Sequence, residues 1–472
     1  MSTVNTIDSI NQASSHEENN NNGKFSINRS KVYPSEESAH PDIRNSRRNE
    51  KASEAEIEGS GKERRKSFCR RKLAEIIIPI AAIIIMALAF IAIAKYYVFT
   101  QSRPELIYIN MIWRHGDRAP VHHFPNFTEK YLIAFPEGLG NLTKMGSKQA
   151  QQLGSSLQRR YMHPMNITAK QVYIRSTNVR RTIETARYAL KGMALSDIEI
   201  NADLATNVDT AGNPFFDCPV AKQFVTEQEK KYLLRENFTE IYKLMKEELN
   251  YTGDPYLVLD TLICLKEHDL ILPEWLKDED LYEKLKFLSW RGVEAHFGME
   301  SFNNELQRKI RGGSSLRGVV SRIACKVNYS EWTAIDRCDE KFYGLSAHDM
   351  TIASLLSTFS DIRAILGKSP LIGFGANIAF EIWRIDNSYK MKVLYANQWD
   401  DTPQDITKFA PGCGDSIKFC NVTKFIDQSR LLFFDDVQSE CWKGAENMTS
   451  HVMRRSIGAD DASEEVDLIQ LY

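Results

Sequence analysis

The stretch Trp113-Arg114-His115-Gly116-Asp117-Arg118-Ala119-Pro120 follows directly on an apolar run at residues 106–112. The run is rich in branched and aromatic residues and lacks Gly and Pro, which predicts a buried strand that stops at the quoted stretch. In α/β sheets, ligand sites lie at the carboxyl ends of strands. The sequence therefore predicts a histidine and two arginines at such an end, where Gly116 lets the backbone turn sharply and Pro120 fixes the exit from the turn.

Two arginines on either side of a histidine are suited to binding an anion. A guanidinium group stays charged and presents planar, forked donors that match phosphate oxygens. A neutral imidazole can attack phosphorus and form a covalent intermediate. The alternative is a turn whose charges face water. The pattern R-H-G-x-R-x-P at residues 114–120 specifies five positions after an apolar strand, and this favours the anion site.

A second strand and helix continue the pattern. Residues 171–175 predict a strand, and a helix that opens near Val179 carries Arg180 and Arg181 in its first turn. Because the amino terminus of a helix favours anions, Arg181 is placed to extend a phosphate site. Arg180 is interpreted as a solvated surface charge, since most arginines are exposed. With a helix expected at about residues 144–161, the strand–helix–strand order predicts a parallel sheet.

A third strand end brings a second histidine. Residues 342–346 predict a strand that ends at His348-Asp349, and a helix is expected to follow at residues 350–356. The spacing alone leaves two roles open for Asp349, which are catalysis and capping of that helix. Farther along, residues 378–395 predict a hairpin.

Together these segments resemble the histidine acid phosphatases, a branch of the phosphoglycerate-mutase-like superfamily, and in particular the prostatic and lysosomal acid phosphatases of animals. The resemblance covers about residues 104–445, with smaller matches at Pro411-Gly412-Cys413 and Ser439-Glu440-Cys441. It implies an α/β fold, a three-layer sandwich with a mostly parallel central sheet and an inserted, mainly helical cap domain at about residues 200–335. Residues 446–472 are interpreted as a carboxyl-terminal tail.

The resemblance also implies the chemistry, which is hydrolysis of phosphate monoesters in two steps without a metal or other cofactor. His115 would attack phosphorus in line and form a phosphohistidine, and Asp349 would protonate the leaving alcohol. An acid optimum is expected if Asp349 must hold its proton. The phosphate would be held by Arg114, Arg118, Arg181 and His348. Asp117 is assigned no catalytic role, because its position in the family pattern is variable, and orienting a neighbour is as good an interpretation.

The chain departs from the family pattern beside Arg181, where Asn178 and Arg180 stand at positions at which relatives usually have acids. Two rival functions stay open. A phytase or inositol-polyphosphate phosphatase of the same superfamily is weakened by His348-Asp349, since a His-Ala-Glu sequence is absent there. A non-catalytic, membrane-anchored phosphate-binding protein is weakened because every matched catalytic position is filled. Comparing activity on a simple aryl phosphate with activity on inositol hexakisphosphate distinguishes an acid phosphatase from a phytase or inositol-polyphosphate phosphatase.

The first hundred residues predict a membrane anchor. Residues 1–61 are rich in Ser, Asn, Glu and Lys and predict disorder, within a cytoplasmic tail at residues 1–75. Residues 76–94 are uncharged and apolar, long enough to cross a hydrocarbon core of ~30 Å, and predict a single amino-terminal transmembrane helix at residues 76–98. A cleaved signal peptide is disfavoured by the long polar stretch before the run. Basic residues precede the run, namely Lys62, Arg64, Arg65, Lys66, Arg70, Arg71 and Lys72.

The positive-inside rule then places the amino terminus in the cytoplasm and the rest outside the cell or in the endosomal or lysosomal lumen, as a type II protein. Cys69, next to the predicted span, is a candidate for palmitoylation. One N-x-S/T sequon, at Asn28, precedes the run. Eight follow it, as expected of a glycosylated ectodomain, at Asn126, Asn141, Asn166, Asn237, Asn250, Asn328, Asn421 and Asn447.

The net charge of −2 argues against nucleic-acid binding. Related enzymes are dimers, which leaves a homodimer open, although no sequence feature marks an interface.

Seven cysteines follow the predicted span, and an oxidising lumen should pair them. The resemblance suggests the pairs Cys218–Cys441 and Cys413–Cys420, and Cys325 with Cys338 are close enough in sequence to pair locally. Relatives pair a cysteine near Cys264 with one on the late hairpin, but residues 375–379 contain none. Cys264 is therefore either free or a competitor for Cys325 or Cys338, and an odd thiol also permits an intermolecular bond. His268 and His296 have no neighbour at ligand spacing and are interpreted as structural.

Overall fold

A computed structural model describes residues 50–100, 103–122, 124, 133–235, 238–329, 338–367, 371–416 and 418–443. The chain divides into two compact units, Met1–Lys95 and Tyr96–Tyr472. The predicted tail at residues 446–472 and most of the predicted amino-terminal tail lie outside the described residues. So do four of the sequon asparagines, namely Asn28, Asn126, Asn237 and Asn447.

The described part of the first unit belongs to one long helix, α1 (Glu50–Thr100), whose last residues are counted in the second unit. Within the described residues, the segment Phe68–Tyr96 is long and apolar enough to cross a membrane, with a mean hydropathy of 3.1 over its most apolar part. Residues 50–61 were expected to be disordered but belong to this helix. Their Ala, Glu and Lys residues are good helix formers, so the helix extends into them from the apolar segment.

The second unit contains a sheet whose strands are β1 (Glu105–Arg114), β2 (Val172–Ser176), β3 (Ile200–Asn201), β4 (Phe342–Ala347), β5 (Asn377–Ile385), β6 (Ser388–Ala396), β7 (Gln404–Asp405) and β8 (Cys420–Asn421). The described helices are α2 (Lys144–Leu157), α3 (Arg180–Gly192), α4 (Pro219–Arg235), α5 (Thr239–Leu249), α6 (Pro255–Glu267), α7 (Glu279–His296), α8 (Glu305–Arg311), α9 (Gly313–Lys326), α10 (Asp349–Leu356), α11 (Ile362–Leu366), α12 (Val422–Ser429) and α13 (Val437–Trp442). The three predicted strands and the predicted hairpin are all present.

The described strands form one mixed sheet in the order β3-β2-β4-β1-β5-β6-β7, and β8 pairs with β6. The pairs β2–β3, β2–β4 and β1–β4 are parallel, whereas β1–β5 and the pairs beyond it are antiparallel. The sheet is therefore mixed rather than mostly parallel. The hairpin accounts for the antiparallel pair β5–β6, because Asp386 and Asn387 have φ values of 48° and 59°, the left-handed values of a tight two-residue turn. In addition, β5 itself runs antiparallel to β1.

Alternate side chains of β1 face two different cores. Ile109, Met111 and Trp113 pack in one apolar cluster with residues of α2 and α3. Tyr108 and Ile112 pack in another, with residues of α9 and α10. Successive side chains of a strand point to opposite faces of its sheet. Burial of both faces therefore explains why the sequence of this strand is apolar throughout instead of alternating.

The chain between β3 and β4 is mainly helical, as predicted. One buried apolar cluster joins α5, α6 and α7 and gives these helices a core of their own. By contrast, α9 contributes Leu316, Val320 and Ile323 to the cluster on the sheet. The helical segment is thus attached to the sheet by α9, while α6 is part of the separate helical core.

Three disulfide bonds join Cys218 to Cys441, Cys325 to Cys338, and Cys413 to Cys420, with Cα–Cα distances of 4.7, 5.6 and 5.3 Å. All three pairings agree with the expectation. Cys264 is a buried free thiol with no exposed surface. It therefore does not compete for another cysteine in this fold, and an intermolecular bond would require local unfolding.

Candidate active site

The register of β1 against β4 brings the two motif histidines together. These strands are parallel, and Arg114 lies opposite Ala347 at their carboxyl ends. The next residues are His115 and His348, whose ring centroids are 5.7 Å apart at an interplanar angle of 73°. The backbone N–H of His115 also donates to the carbonyl of Ala347 at 3.0 Å. Parallel pairing of β1 and β4 thus brings together two strand ends that are distant in sequence.

The hydrogen bond of His115 defines which ring nitrogen carries the proton. Nδ1 lies 2.9 Å from the carbonyl oxygen of Gly116, which can only accept a hydrogen bond, so Nδ1 is the protonated nitrogen. Nε2 then has the free lone pair. Burial, and after it the charges of three surrounding arginines, lower the pKa of His115 well below its ordinary value. The imidazole therefore stays neutral and nucleophilic in acid.

His348 is held by the end of β2 and the start of α3. Its Nε2 lies 3.0 Å from Oγ1 of Thr177, which immediately follows β2. Its Nδ1 lies 3.4 Å from Nη2 of Arg181, in the first turn of α3. That helix begins next to Val179, as predicted. Burial together with Arg118 lowers the pKa of Arg181 to about 9, so that it stays charged in acid.

Arg114 and Arg118 are oriented by other parts of the chain. Arg114 donates from Nη1 to the carbonyl of Ile372 at 2.5 Å and lies over the ring of Phe374, 4.4 Å from its centroid. Arg118 forms a two-pronged ion pair with Asp260 of α6, at 2.8 and 3.1 Å. Among the described residues, the Nε atoms of both arginines are buried without a hydrogen-bond partner. These buried donors are available to an oxyanion ligand.

Asp349 is the first residue of α10, and its two oxygens have different partners. Oδ1 accepts from the N–H of Met350 at 2.8 Å, which is a local contact at the helix start. Oδ2 lies 2.9 Å from Nη2 of Arg114 and accepts from the hydroxyl of Tyr256 at 3.1 Å. The residue at the capping position is His348, so capping alone does not account for Asp349. Its second oxygen faces the cluster of arginines.

Asp117 faces away from this cluster. Its Oδ2 accepts from the hydroxyl of Thr143 at 2.5 Å and lies 2.7 Å from Nε2 of His268, and the carboxylate is fully buried. Thr143 also caps α2 by accepting from the N–H of Gly146. The carboxylate thus joins the signature stretch, residues 113–120, to α2 and to the end of α6, and His268 is structural as expected.

Gly116 is required by close packing rather than by the turn that the sequence suggested. The φ angle of Gly116 is not in the left-handed region. Other described glycines, such as Gly138, Gly140 and Gly412, do have left-handed φ values. A Cβ at position 116 would instead collide with the backbone carbonyl of Gly146 in α2, and a Cβ on Gly146 would collide with the backbone of Asp117. The two glycines allow the signature stretch to lie against that helix.

The sequence interpretation missed three residues that support the site, which are Thr177, Tyr256 and Asp260. Thr177 lies between the predicted strand at residues 171–175 and the helix that opens near Val179, and the other two lie in a helical region without a motif. A signal was present, because Tyr256, Asp260, Cys264 and His268 recur at every fourth residue. Such residues share one face of a helix. The described residues contain no group of three or more His, Cys, Asp or Glu side chains that could hold a metal ion.

Comparisons with known proteins identify the family of this chain. The model of the histidine phosphatase superfamily (branch 2) matches residues 105–396. The chain is 26% identical over 405 residues to the lysosomal acid phosphatase of Xenopus laevis, across 79% of this chain and 88% of that protein. It is 24% identical over 389 residues to the prostatic acid phosphatase of Mus musculus, across 77% and 96%. The phytase of Citrobacter braakii has a similar fold, with a TM-score of 0.55 and 15% identity over 71% of this chain and 99% of that one.

Proposed function

Because the chain belongs to branch 2 of the histidine phosphatase superfamily, we propose that it is an acid phosphatase that hydrolyses phosphate monoesters through a phosphohistidine at His115. The observation that carries the proposal is the position of the neutral His115 ring. Its unprotonated Nε2 lies within a cluster formed by Arg114, Arg118 and Arg181, with His348 beside it. This arrangement combines a nucleophile with charges that bind and stabilise a phosphoryl group.

In the first step, the lone pair of His115 Nε2 forms a bond to phosphorus while the bond from phosphorus to the ester oxygen breaks. Asp349 donates its proton to that oxygen, so the product leaves as an alcohol. In the second step, water attacks phosphorus and gives its proton to the Asp349 carboxylate. The nitrogen–phosphorus bond breaks, inorganic phosphate is released, and neutral His115 is regenerated. The arginines stabilise the phosphoryl charge in both steps.

Binding of the phosphate also prepares the acid. Without substrate, Asp349 is paired with Arg114 at 2.9 Å. A phosphate dianion that takes Arg114 as its partner removes this contact and places negative charge beside the carboxyl group, which favours its protonated form. Acid conditions favour it further, while the arginines and burial keep His115 neutral. The proposed site thus combines a proton donor, Asp349, with an unprotonated nucleophile, His115.

His348 can serve as a donor to phosphate only after a change of proton position. Arg181 has no acceptor atom, so in the present arrangement Nδ1 of His348 accepts from it. A phosphate oxygen at that place requires Nδ1 to donate. Thr177 makes this feasible, because its hydroxyl can either accept from Nε2 or donate to it. We therefore assign Thr177 the role of a hydrogen-bond partner that accommodates either tautomer of His348.

The experiment that tests the proposal is capture of the covalent intermediate. Purified protein is mixed with a phosphate monoester labelled on phosphorus, denatured in alkali to preserve a nitrogen–phosphorus bond, and digested to identify the labelled peptide. Label on the peptide that contains His115 supports the mechanism. Turnover of substrate without any labelled histidine, even when quenched within the first turnover, would exclude it.

Replacing Arg181 by alanine is expected to weaken inhibition by inorganic phosphate about 10- to 100-fold and to lower turnover, since a charge-assisted contact to phosphate is lost. Inhibition constants measured at one pH check this. Arg180→Ala is the matched control, because that side chain is exposed and pairs with Glu184 one turn along the helix. If both variants bind phosphate as the unchanged protein does, Arg181 is not part of the site.

We further propose that the chain is a type II membrane protein, anchored by the apolar segment of α1, with the phosphatase domain at residues 104–445 outside the cytoplasm. We interpret its sheet as the middle layer of a three-layer sandwich, with a helical cap at about residues 200–335. Three disulfides in the second unit support an oxidising compartment. The positions of Asn166, Asn250 and Asn328 support glycosylation. These three sequon asparagines are exposed and have left-handed φ values typical of turns.

Protease added to intact cells is expected to digest the phosphatase domain and to spare a tag at the amino terminus. Glycans are expected at exposed sequons such as Asn166 and not at Asn28. Asn141 should be modified less, because it is partly buried and its Nδ2 donates to the carbonyl of Glu137 at 2.7 Å. Protection assays and glycopeptide mapping check these expectations, and a glycan on Asn28 would reverse the orientation.

A further inference from the structure

One face of α6 contacts Asp349 and two residues of the signature stretch, Arg118 and Asp117, through side chains spaced four residues apart. Tyr256 donates to Asp349, Asp260 pairs with Arg118, Cys264 lies 3.7 Å from Nη1 of Arg118, and the capping residue His268 binds Asp117. Residues spaced by four lie above one another on a helix. The other face of α6 packs into the core shared with α5 and α7. The helical segment thus presents one polar stripe, Tyr256 to His268, to the site.

Tyr256 is at the end of this stripe nearest the acid. Asp254 caps α6 and accepts from the N–H of Tyr256 at 2.8 Å, and Pro255 occupies the first turn, so the start of the helix is well defined. The hydroxyl of Tyr256 then reaches Oδ2 of Asp349 at 3.1 Å. Burial and the charge of Asp349 raise the pKa of Tyr256 well above its ordinary value, so the hydroxyl keeps its proton and acts as a donor.

Building on the proposed function, we propose that Tyr256 is a positioning residue for the general acid. Its hydroxyl donates to the oxygen of Asp349 that faces the leaving group, and it keeps that oxygen in place after phosphate has taken Arg114. Met350 holds the other oxygen through its N–H. With Oδ1 occupied as a local acceptor, Oδ2 is the oxygen that carries and delivers the proton. Tyr256 is the partner of Oδ2 that does not bind phosphate.

This contact should also affect the strength of the acid. A donor to a carboxylate stabilises its charged form and so makes the carboxyl group a stronger acid. The other charged groups that act on Asp349 are Arg114 from β1, Arg118 from the signature stretch and Arg181 from α3. Those three are also assigned to the phosphoryl group, whereas the hydroxyl of Tyr256 donates to Asp349. Removing its hydroxyl should therefore disturb departure of the leaving group selectively.

The test is Tyr256→Phe, which keeps the ring and removes the hydroxyl. We expect formation of phosphohistidine to slow about tenfold for an alkyl phosphate, the loss expected of one hydrogen bond to a charged partner, and by less than about threefold for nitrophenyl phosphate, whose leaving group needs little protonation. The basic limb of the pH profile of kcat/KM should move to higher pH. Single-turnover rates and pH profiles for both substrates are measured on the full chain.

Tyr161→Phe is the matched control, because its hydroxyl also donates to a buried carboxylate, Glu381 at 2.9 Å, and Tyr161 packs in the cluster on α2 and α3. It should leave both rates and the pH limb unchanged. The double variant Tyr256→Phe, Asp349→Asn should be no slower for the alkyl phosphate than Asp349→Asn alone, because Tyr256 acts through that carboxyl group.

Equal slowing of both substrates by Tyr256→Phe with an unmoved pH limb would mean that the residue is only structural, and unchanged rates would mean that it has no role. Either result overturns the inference about Tyr256. The proposed function stays intact in both cases, provided that the wild-type protein forms phosphohistidine. If the unchanged protein forms none, the proposed function itself fails. Thermal unfolding of each variant shows whether a slower rate reflects loss of folded protein.

Discussion

Replacement of His115 by alanine is expected to lower turnover by roughly 10⁵- to 10⁶-fold, the scale of loss when a catalytic nucleophile is removed. The physical reason is that Nε2 is the atom that forms the bond to phosphorus. Water is a weak substitute, because no described group is positioned to activate it at that point before Asp349 has given up its proton. Turnover and the amount of trapped phosphohistidine are measured together, and both should fall to background.

Two controls separate loss of the nucleophile from loss of the fold. His115→Asn retains an amide that can donate to the carbonyl of Gly116, as Nδ1 of the histidine does. This variant should fold and export like the unchanged protein and still be inactive. His348 is the other neutral histidine of the site, and both its ring nitrogens already have partners in Thr177 and Arg181. If label persists in His115→Ala and disappears in His348→Ala, the nucleophile is His348 and our assignment is wrong.

Replacement of Asp349 by asparagine is expected to slow formation of phosphohistidine by about 10²- to 10⁴-fold for an alkyl phosphate, the usual contribution of general acid catalysis. The loss should be far smaller for nitrophenyl phosphate. An alkoxide departs poorly without a proton, whereas nitrophenolate departs tolerably well. The asparagine oxygen can still accept from Met350 and Tyr256, so the variant removes the proton while keeping the shape. The step must be measured directly, because hydrolysis of the common intermediate masks it.

The control for this prediction has to change binding of the phosphoryl group while the carboxyl group of Asp349 stays in place to donate its proton. Arg118 is suitable, but its removal alone would leave Asp260 as a buried, unpaired charge, which is strongly destabilising. The paired variant Arg118→Ala, Asp260→Ala avoids this. It should slow both substrates by similar factors, because the phosphoryl charge is common to them. If Asp349→Asn also slows both alike, Asp349 orients its neighbours or sets the local field and is not the leaving-group acid.

The environments of His115 and Asp349 explain how one site can work in acid. Both residues follow the carboxyl ends of parallel neighbouring strands, β1 and β4, but their partners differ. The surrounding arginines and burial keep the imidazole neutral, while a bound phosphate would neutralise the same arginines and favour the protonated carboxyl group. The charge of the substrate thus completes the acid–base pair. This is consistent with a site that is most effective when the substrate itself is bound.

The sequence by itself determined the local elements and placed the proposed reacting groups at the ends of strands. The apolar run before the signature stretch predicted β1, and the strand-end pattern at His348 predicted β4, because period and composition encode burial of both faces. Parallel pairing of these strands then requires that their ends meet. The position of Arg181 in the first turn of α3 was predicted for the same reason, since a capping position and a helix start are local properties. The three disulfide pairings came from the family resemblance and local spacing.

Only the tertiary structure decided which distant groups support these residues. Asp260 and Tyr256 lie 142 and 93 residues from their partners Arg118 and Asp349, and no local pattern relates such positions. The antiparallel half of the sheet and the close approach of Gly116 to Gly146 likewise depend on how complete elements pack. The physical reason is that period and capping act within a few residues. Burial of a charge, by contrast, is satisfied by whichever side chain the folded chain brings near it.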